Sequence, residues 1–228
     1  MKKVILLSVF NLFIFTAFAQ KSVVLAAFSK YGIDTSILSP KAKARPENYS
    51  FDYKYTTIAG NKETVTVAKF DPSKPENQHW TVISVKGKAP SAGDVKTFLK
   101  NHGKSPTLVK TDNQTYRIDQ ETKDLLVISY KQDPASLTAD ASFMKDCRLY
   151  MTINIKTKRL EKLQSLNEKP LKIKIFNAEK LDLVVKYQYD DNQQRYFPIS
   201  EDLNLMVKFL GQLSPMETIS EYSNYKKM

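Results

Sequence analysis

The feature that most constrains the fold is an alternation of apolar and polar residues that recurs through the second half of the chain. Apolar residues occupy every second position in the segments 149–155, 171–175, 181–189 and 203–209. A period of two places one side of an extended strand in a core and the other side in water. Because short polar turns separate such segments, the pattern predicts antiparallel strands in a sheet that can have one solvated face.

The first half of the chain shows the same period in an aromatic form. Tyr, Phe, Tyr and Tyr alternate with polar residues over 49–56, which is typical of a half-buried strand. Ala59-Gly60-Asn61-Lys62 predicts a hairpin turn into a second strand over 63–70. The segment 80–85 predicts a third strand, with apolar residues on both faces.

Few segments have a helical period. Residues 22–31 can form a short helix that ends at Gly32, where a left-handed residue would stop it. Residues 91–102 can form another, with Ser91 as the N-cap and one apolar stripe. The fold class that follows is α+β, with a single large curved antiparallel β-sheet. We expect an open half-barrel with a few covering helices, curled around the helix at 91–102.

The first nineteen residues are typical of a cleavable secretory signal peptide. Lys2 and Lys3 precede an apolar run that ends at Ala17-Phe18-Ala19, with small residues where the peptidase cuts. A membrane anchor is the alternative, but the run is shorter than the ~20 residues that a span needs. No Cys follows Ala19, so a lipoprotein anchor is not expected. The sequence therefore predicts a signal peptide at 1–19 and a single soluble domain at 20–228, periplasmic or secreted.

The composition excludes several kinds of chemistry. One Cys and two His cannot supply a disulfide framework or a His- or Cys-rich metal site. An apolar share of 42% is too high for a disordered chain. The sequence contains no nucleophile elbow, zinc-protease motif, P-loop or dinucleotide-binding glycine motif. We therefore expect no enzyme activity, no catalytic or metal-binding residue and no cofactor.

The formal net charge of +11 raises the question of a polyanionic partner. An exported protein rarely meets nucleic acid, so none is expected as a partner. The basic residues are scattered over the predicted strand faces, which favours an ordinary solvated surface. Two basic patches remain candidates for an anionic membrane surface: Lys41, Lys43 and Arg45 in a predicted loop, and Lys226 and Lys227 near the C-terminus.

Single residues with reactive side chains have simple structural interpretations. His102 falls at a predicted helix C-terminus, where a positive charge interacts favourably with the helix dipole. His79 is expected at the surface beside a loop. Cys147 shares its strand face with apolar residues and is expected to be a buried thiol; an intermolecular disulfide is the alternative. The adjacent acids Asp190 and Asp191 are expected to form a turn.

The aromatic residues are the best candidates for ligand contacts. Tyr residues on the first strand, the single Trp and two Tyr residues near 188 could line a hydrophobic groove. An ordinary core beneath the helix is the alternative interpretation. The candidate ligand-binding residues are Tyr53, Tyr55, Trp80, Tyr187 and Tyr189.

The order of these segments resembles a known family. The chain begins this order with a hairpin over 49–70, an Asp-Pro loop and the segment 80–90. A short helix follows, and then a closing meander that contains Tyr196-Phe197-Pro198 and 220–225. This order is similar to that of uncharacterised exported bacterial proteins, and it resembles the periplasmic lipoprotein-carrier and lipoprotein-receptor superfamily (the LolA/LolB type) over 49–225. The resemblance implies an unclosed β-barrel lidded by helices, which holds acyl chains against its concave apolar face. No functional residue is carried over.

The sequence therefore predicts an exported protein that binds or carries a lipid, an acylated lipoprotein or another hydrophobic ligand. Two other classes remain open. An envelope structural or interaction protein would need no cavity and would expose an apolar patch or a sheet edge. A hydrolase would need His79 or His102 in a polar cleft beside a nucleophile.

Overall fold

The structure is a computed structural model that describes residues 20–103, 108–173, 176–209 and 211–228. The predicted signal peptide at 1–19 lies outside these residues, as do positions 174 and 175 of one predicted strand. In the described residues, eleven strands form one antiparallel sheet. The strands are β1 (Tyr49–Ala59), β2 (Lys62–Phe70), β3 (Trp80–Val85), β4 (Thr111–Glu121), β5 (Leu125–Gln132), β6 (Cys147–Asn154), β7 (Arg159–Asn167), β8 (Leu171–Ile173), β9 (Phe176–Asp190), β10 (Arg195–Phe209) and β11 (Gln212–Lys227).

The sheet is curved and does not close. Its strands lie in the order β3-β2-β1-β11-β10-β9-β7-β6-β5-β4, and β8 pairs with β9 beside this path. The strands follow the chain as two meanders, which are joined where β1 pairs with β11. Among the described strands, β3 and β4 are the two edges and do not pair with each other. The predicted α+β class with one large open antiparallel sheet is confirmed.

Helices and short 3-10 turns lie between the strands. The α-helices are α1 (Gln20–Tyr31), α2 (Pro40–Lys43) and α3 (Ala92–His102). The 3-10 turns are Thr35–Leu38, Glu76–Gln78, Pro134–Ser136 and Ala139–Asp146. Helix α1 is already formed at Gln20, so Ser22 lies inside its first turn rather than at its cap. Gly32 follows it with φ of 63°, as expected of a left-handed residue at a helix end.

Helix α3 begins as its sequence predicts. The Ser91 hydroxyl accepts a hydrogen bond from the Asp94 N–H at 3.2 Å, and the Asp94 carboxylate accepts one from the Ser91 N–H at 2.9 Å. This reciprocal pair is a capping box, which satisfies two backbone donors that the first turn leaves unpaired. The prediction of Ser91 as the N-cap is confirmed.

Cross-strand pairing identifies one face of the sheet as the inner face. One row of directly paired residues crosses the strands from β7 to β1. Because paired residues point to the same side of a sheet, their side chains share a face. In strand order the row consists of Leu163, Val185, Glu201, Ser220 and Tyr55. The next row on the same face consists of Ser165, Leu183, Leu203, Thr218 and Thr57. The inner face carries the apolar residues of the alternating strands.

Two helical covers and one further cluster pack on the inner face. The further cluster, which we call the third, consists of Cys147, Leu171, Ala178, Leu181 and Val207, with Phe143 and Met144 of the 3-10 turn Ala139–Asp146 packed against it. The first cover, α1 with residues 33–43, packs over β4 to β7 and β10. Its core cluster consists of Val24, Ala27, Phe28, Ile33, Ile37, Leu38, Tyr116, Leu126, Ile128, Tyr130, Leu149, Met151, Ile153, Leu160 and Tyr196. The second cover, α3, packs over β1 to β3 on a smaller cluster of Phe51, Tyr53, Ala68, Phe70, Trp80 and Phe98. The expectation that the sheet curls around α3 is therefore wrong, because α1 covers the larger core.

The opposite, outer face is charged. Its row from β1 to β7 contains Lys54, Glu221, Ser200, Lys186 and Lys162. Lys54 and Glu221 form an exposed ion pair at 2.7 Å, whose contribution to stability is small. None of the helices in the described residues has the length and apolar character that a membrane span requires.

Candidate ligand-binding face

Between the two helical covers and the third cluster, part of the inner face is only half-buried. We call this region the inner strip; its residues are Tyr55, Thr57, Leu163, Leu183, Val185, Glu201, Leu203 and Thr218. Every one of these side chains is half-buried rather than buried. At the usual spacing of about 4.8 Å between strands, the strip from β7 to β1 is about 19 Å wide. A half-buried and mainly apolar surface between two helical covers could contact a hydrophobic ligand.

Two predicted binding residues lie beneath the second cover. Tyr53 and Trp80 are 3% and 8% exposed, and their rings meet edge to face at 5.3 Å. Phe98 of α3 packs on both rings, at 6.1 Å from Tyr53 and 5.3 Å from Trp80. Both residues are therefore part of the core beneath α3. Trp80 Nε1 is buried without a hydrogen-bond partner among the described residues.

Tyr55 is placed differently, on the inner strip itself. It stacks on Tyr53 with ring centroids 6.2 Å apart and meets the His102 ring edge to face at 4.8 Å. Its ring is half-buried and marks the boundary between the strip and the second cover. Of the three predicted residues on this side, it is the one that a ligand on the strip could contact without α3 moving.

Tyr187 and Tyr189 lie on the other side of the strip. Both rings pack on Tyr196 of β10, at 6.3 and 4.8 Å. The Arg159 guanidinium lies 3.5 Å from the centroid of the Tyr189 ring, a cation–π contact. The structure therefore separates the five predicted residues: Tyr53 and Trp80 lie beneath α3, Tyr187 and Tyr189 lie beside Tyr196, and Tyr55 lies on the strip between them.

The two tyrosines also line a cavity between strands β7 and β9. Strands β7 and β9 pair only as far as Lys162 and Lys186, and beyond that point they diverge. The cavity between them has a volume of about 680 Å³, and Leu160 and Ile199 contribute apolar lining. The Leu160 N–H donates to the Tyr196 hydroxyl at 3.1 Å, which replaces a bond that the sheet ladder would have made. The divergence thus leaves no orphaned donor at Leu160.

A polar cluster lies on the inner face next to α3. The Tyr222 hydroxyl donates to Glu201 Oε1 at 3.0 Å, and the Tyr53 and Ser220 hydroxyls share a hydrogen bond at 2.9 Å. Burial raises the pKa of the Glu201 carboxyl, because the charged form is costly away from water. No Lys or Arg nitrogen of the described residues forms an ion pair with Glu201.

His102 joins this cluster and corrects a prediction. Its ring stacks on Phe98 at 4.6 Å, and its Nδ1 lies 3.4 Å from the Tyr53 hydroxyl. Burial first, and the Arg45 charge second, lower the His102 pKa to about 4. The imidazole is therefore neutral at pH 7, and the expected cationic interaction with the helix dipole is wrong.

The predicted basic patch at 41–45 is not a solvated surface. Lys43 Nζ donates to the carbonyl oxygens of Ile37 and Ser39 at 2.6 and 3.0 Å. Arg45 lies over the Phe70 and Trp80 rings, with centroids at 5.0 and 5.4 Å. Lys41 alone is exposed. The loop prediction missed this because the short helix α2 turns Lys43 inward.

The structure places the remaining single residues as follows. Cys147 is fully buried, and burial raises its pKa to about 11, so its thiol is unreactive. Asp190 accepts backbone hydrogen bonds from Asn192 and Gln193, as a turn residue does. His79 is half-buried rather than exposed as expected, and its ring centroid lies 5.4 Å from that of Phe70. Within the described residues, no cluster of His, Cys, Asp and Glu could hold a metal ion.

Sequence reasoning missed Glu201, although a signal was present. Glu201 shares its strand parity with Leu203, Leu205 and Val207, so the alternation places a carboxylate on the apolar face. The register shifts between Pro198 and Ser200, where a bulge hides the continuity of this face with Tyr196.

Comparison with known proteins adds no assignment: no family model and no curated protein matches the chain. The geometry of the inner face is therefore the basis for a functional proposal.

Proposed function

We propose that this protein is exported to the periplasm or secreted, has no enzyme activity, and binds or carries a lipid, an acylated lipoprotein or another hydrophobic ligand on its inner face. The observation that carries the proposal is the inner strip. Leu163, Leu183, Val185 and Leu203 form an apolar floor whose side chains stay half-buried, although Leu163 packs against the first core cluster and Leu183 and Leu203 pack against the third. An acyl chain laid on this floor would gain roughly 0.8 kcal/mol for each CH₂ group that it buries.

The architecture supports the proposal. The resemblance to the lipoprotein-carrier superfamily implies an unclosed barrel lidded by helices, and the chain forms an open eleven-stranded sheet with two helical covers on one face. Fold alone does not determine function, so the strip, and not the resemblance, carries the argument.

The state of the polar cluster favours binding over catalysis. A hydrolase would need a hydroxyl that a neighbouring base can activate. The hydroxyl next to His102 belongs to Tyr53, and burial raises its pKa above the usual value for a phenol. With a pKa of about 4, His102 is also a weak base at pH 7. The His102 imidazole is uncharged at pH 7 and burial disfavours the charge of Glu201, so the cluster suits a ligand's polar group.

The test compares two neighbouring valines of β9 that face opposite ways. Val185 lies on the inner strip opposite Leu163, and Val184 lies on the outer face opposite Gln164. Both are half-buried. Val185→Asn places an amide in the path of an acyl chain, where an unpaired polar group costs about 1–3 kcal/mol. We expect affinity for a fluorescent fatty-acid probe to fall at least about fivefold. Val184→Asn should leave it unchanged.

Native mass spectrometry of the purified protein supplies the independent measurement. A lipid mass adduct in the wild type that is reduced in Val185→Asn would support the proposal. Equal probe affinity in the two variants, or no probe binding at all, would contradict it and favour the envelope interaction protein. The proposed export predicts that the mature protein begins at Gln20, which its intact mass can check.

A further inference from the structure

A second, smaller cavity opens on the inner face beneath the first cover. Its volume is about 180 Å³, which is too small for an acyl chain but sufficient for a head group. The floor is apolar and belongs to the sheet, with Leu149 of β6 and Leu163 of β7. Lys43, Thr111, Tyr130 and Gln132 bring polar side chains to a lining that is otherwise apolar.

Lys43 provides a cation at this cavity. Its ammonium group donates to two backbone carbonyls, those of Ile37 and Ser39, and a lysine has three N–H donors. One N–H therefore remains. No carboxylate of the described residues forms an ion pair with Lys43. Burial lowers the Lys43 pKa to about 8, which means that the charge is held without a compensating anion.

Tyr130 is the second donor. The residue is 2% exposed, and none of the hydrogen bonds found in the described residues involves its hydroxyl. Its ring is fixed by stacking on Tyr116 at 4.9 Å, so the hydroxyl cannot turn away. Gln132, the next cavity residue on β5, has a buried Oε1 without a partner. The Lys43 ammonium has one N–H to spare and the Tyr130 hydroxyl has no partner among the described residues, so two donors at one cavity point to a missing acceptor ligand. The Gln132 oxygen is itself an acceptor and does not contribute to this argument.

We propose that this cavity binds the carboxylate of an acyl-chain ligand, through the Lys43 ammonium and the Tyr130 hydroxyl. This rests on the proposed function, since the chain of the same ligand would lie on the inner strip. Leu163 belongs to both the cavity and the strip, and Val185 lies opposite it. If the ligand's carboxylate lies at Lys43, its acyl chain therefore runs from β7 across β9 towards Tyr55.

The experiment measures preference for a carboxylate over a hydroxyl on the same chain. Dodecanoate and dodecanol compete with the neutral fluorescent probe N-phenylnaphthylamine for the full mature protein. Because charge-assisted hydrogen bonds are about twice as strong as neutral ones, we expect dodecanoate to compete about tenfold better.

Three variants locate the preference. Lys43→Met should bring the ratio of the two affinities close to one. Tyr130→Phe should reduce it severalfold, and this variant should fold normally because the hydroxyl bonds to no described residue. Lys41→Met is the matched control, since Lys41 is exposed on the same short helix and should leave the ratio unchanged.

The outcomes separate the two proposals. If both ligands bind and the ratio is the same in Lys43→Met and Tyr130→Phe as in the wild type, the carboxylate site is wrong and the inner strip stands. If Lys41→Met changes the ratio as much as Lys43→Met, general surface charge explains it and the site is again wrong. If neither ligand displaces the probe and no lipid co-purifies, the proposed function itself fails.

Discussion

The two covers of the inner face differ in both chemistry and anchorage. The core beneath α1 is mainly aliphatic, whereas the core beneath α3 consists of aromatic rings and Ala68. Helix α1 buries Val24, Ala27 and Phe28, and α3 buries Phe98 alone. The chain after α1 adds further buried residues at Ile33, Ile37 and Leu38.

This difference teaches which cover can move. Stability is not uniform across a protein, and segments with little buried apolar surface open first. With one buried side chain, α3 should open at a much lower free energy than α1, and its opening would uncover Tyr53 and Trp80. The first cover would then be the fixed wall of the inner strip, and the second would be its movable wall.

The largest expected effect tests the anchorage of the two covers. Phe28→Ala should lower the free energy of unfolding by about 3–5 kcal/mol, because it leaves a cavity in the larger core. Phe98→Ala should cost at least about 1 kcal/mol less, since the sheet can persist while α3 detaches. Urea denaturation followed by circular dichroism measures both values. Equal losses would show that the two covers are anchored alike.

A somewhat smaller effect concerns the polar side of the second cover and depends on pH. The His102 pKa is about 4 in the folded protein and about 6.5 when exposed, so the unfolded chain binds more protons between these values. Stability should therefore fall as the pH drops from about 6.5 to 4, by an amount on the order of 3 kcal/mol.

The matched variant is His102→Phe, which keeps a ring stacked on Phe98 and removes the titration. The difference in unfolding free energy between the wild type and this variant should be constant above pH 7 and change below it. Glu201 titrates in both proteins, so its contribution cancels in the difference. A difference that does not vary with pH would mean that His102 is solvated.

The smallest effect concerns the cap of α3. Ser91→Ala removes the hydroxyl of the capping box and should destabilise α3 by about 1 kcal/mol. If α3 opens independently, amide hydrogen exchange should become faster by severalfold within α3 and stay unchanged within α1. A uniform increase in both helices would instead show that the covers open together with the sheet.

Local patterns allowed part of the fold to be predicted. Strand β3, the β1–β2 hairpin and α3 with its Ser91 cap are confirmed because their turns, caps and periods are encoded within a few residues. The candidate residue Tyr55 lies on the strip for a similar reason, since strand parity fixes its face.

What was missed depends on partners distant in sequence. Strand β4 was not predicted because most of its side chains are polar, and only Tyr116 on it is buried. Strand β7 was missed because a register shift opposite Thr152 and Ile153 interrupts its alternation. Tertiary packing turns Lys43 inward and brings Glu201 next to Tyr222. The periodicity of a single segment contains no information about such contacts.

The polar composition of β4 has a consequence for the behaviour of the protein in solution. An unclosed sheet presents unpaired backbone groups at its edges, where another chain can add a strand and start aggregation. Strand β4 carries charges along its length, including Asp112, Arg117, Asp119 and Glu121, and two register shifts distort its pairing with β5. Both devices hinder the docking of a foreign strand. The polar residues that prevented the prediction of β4 from the sequence thus also protect this edge against fibril-like association.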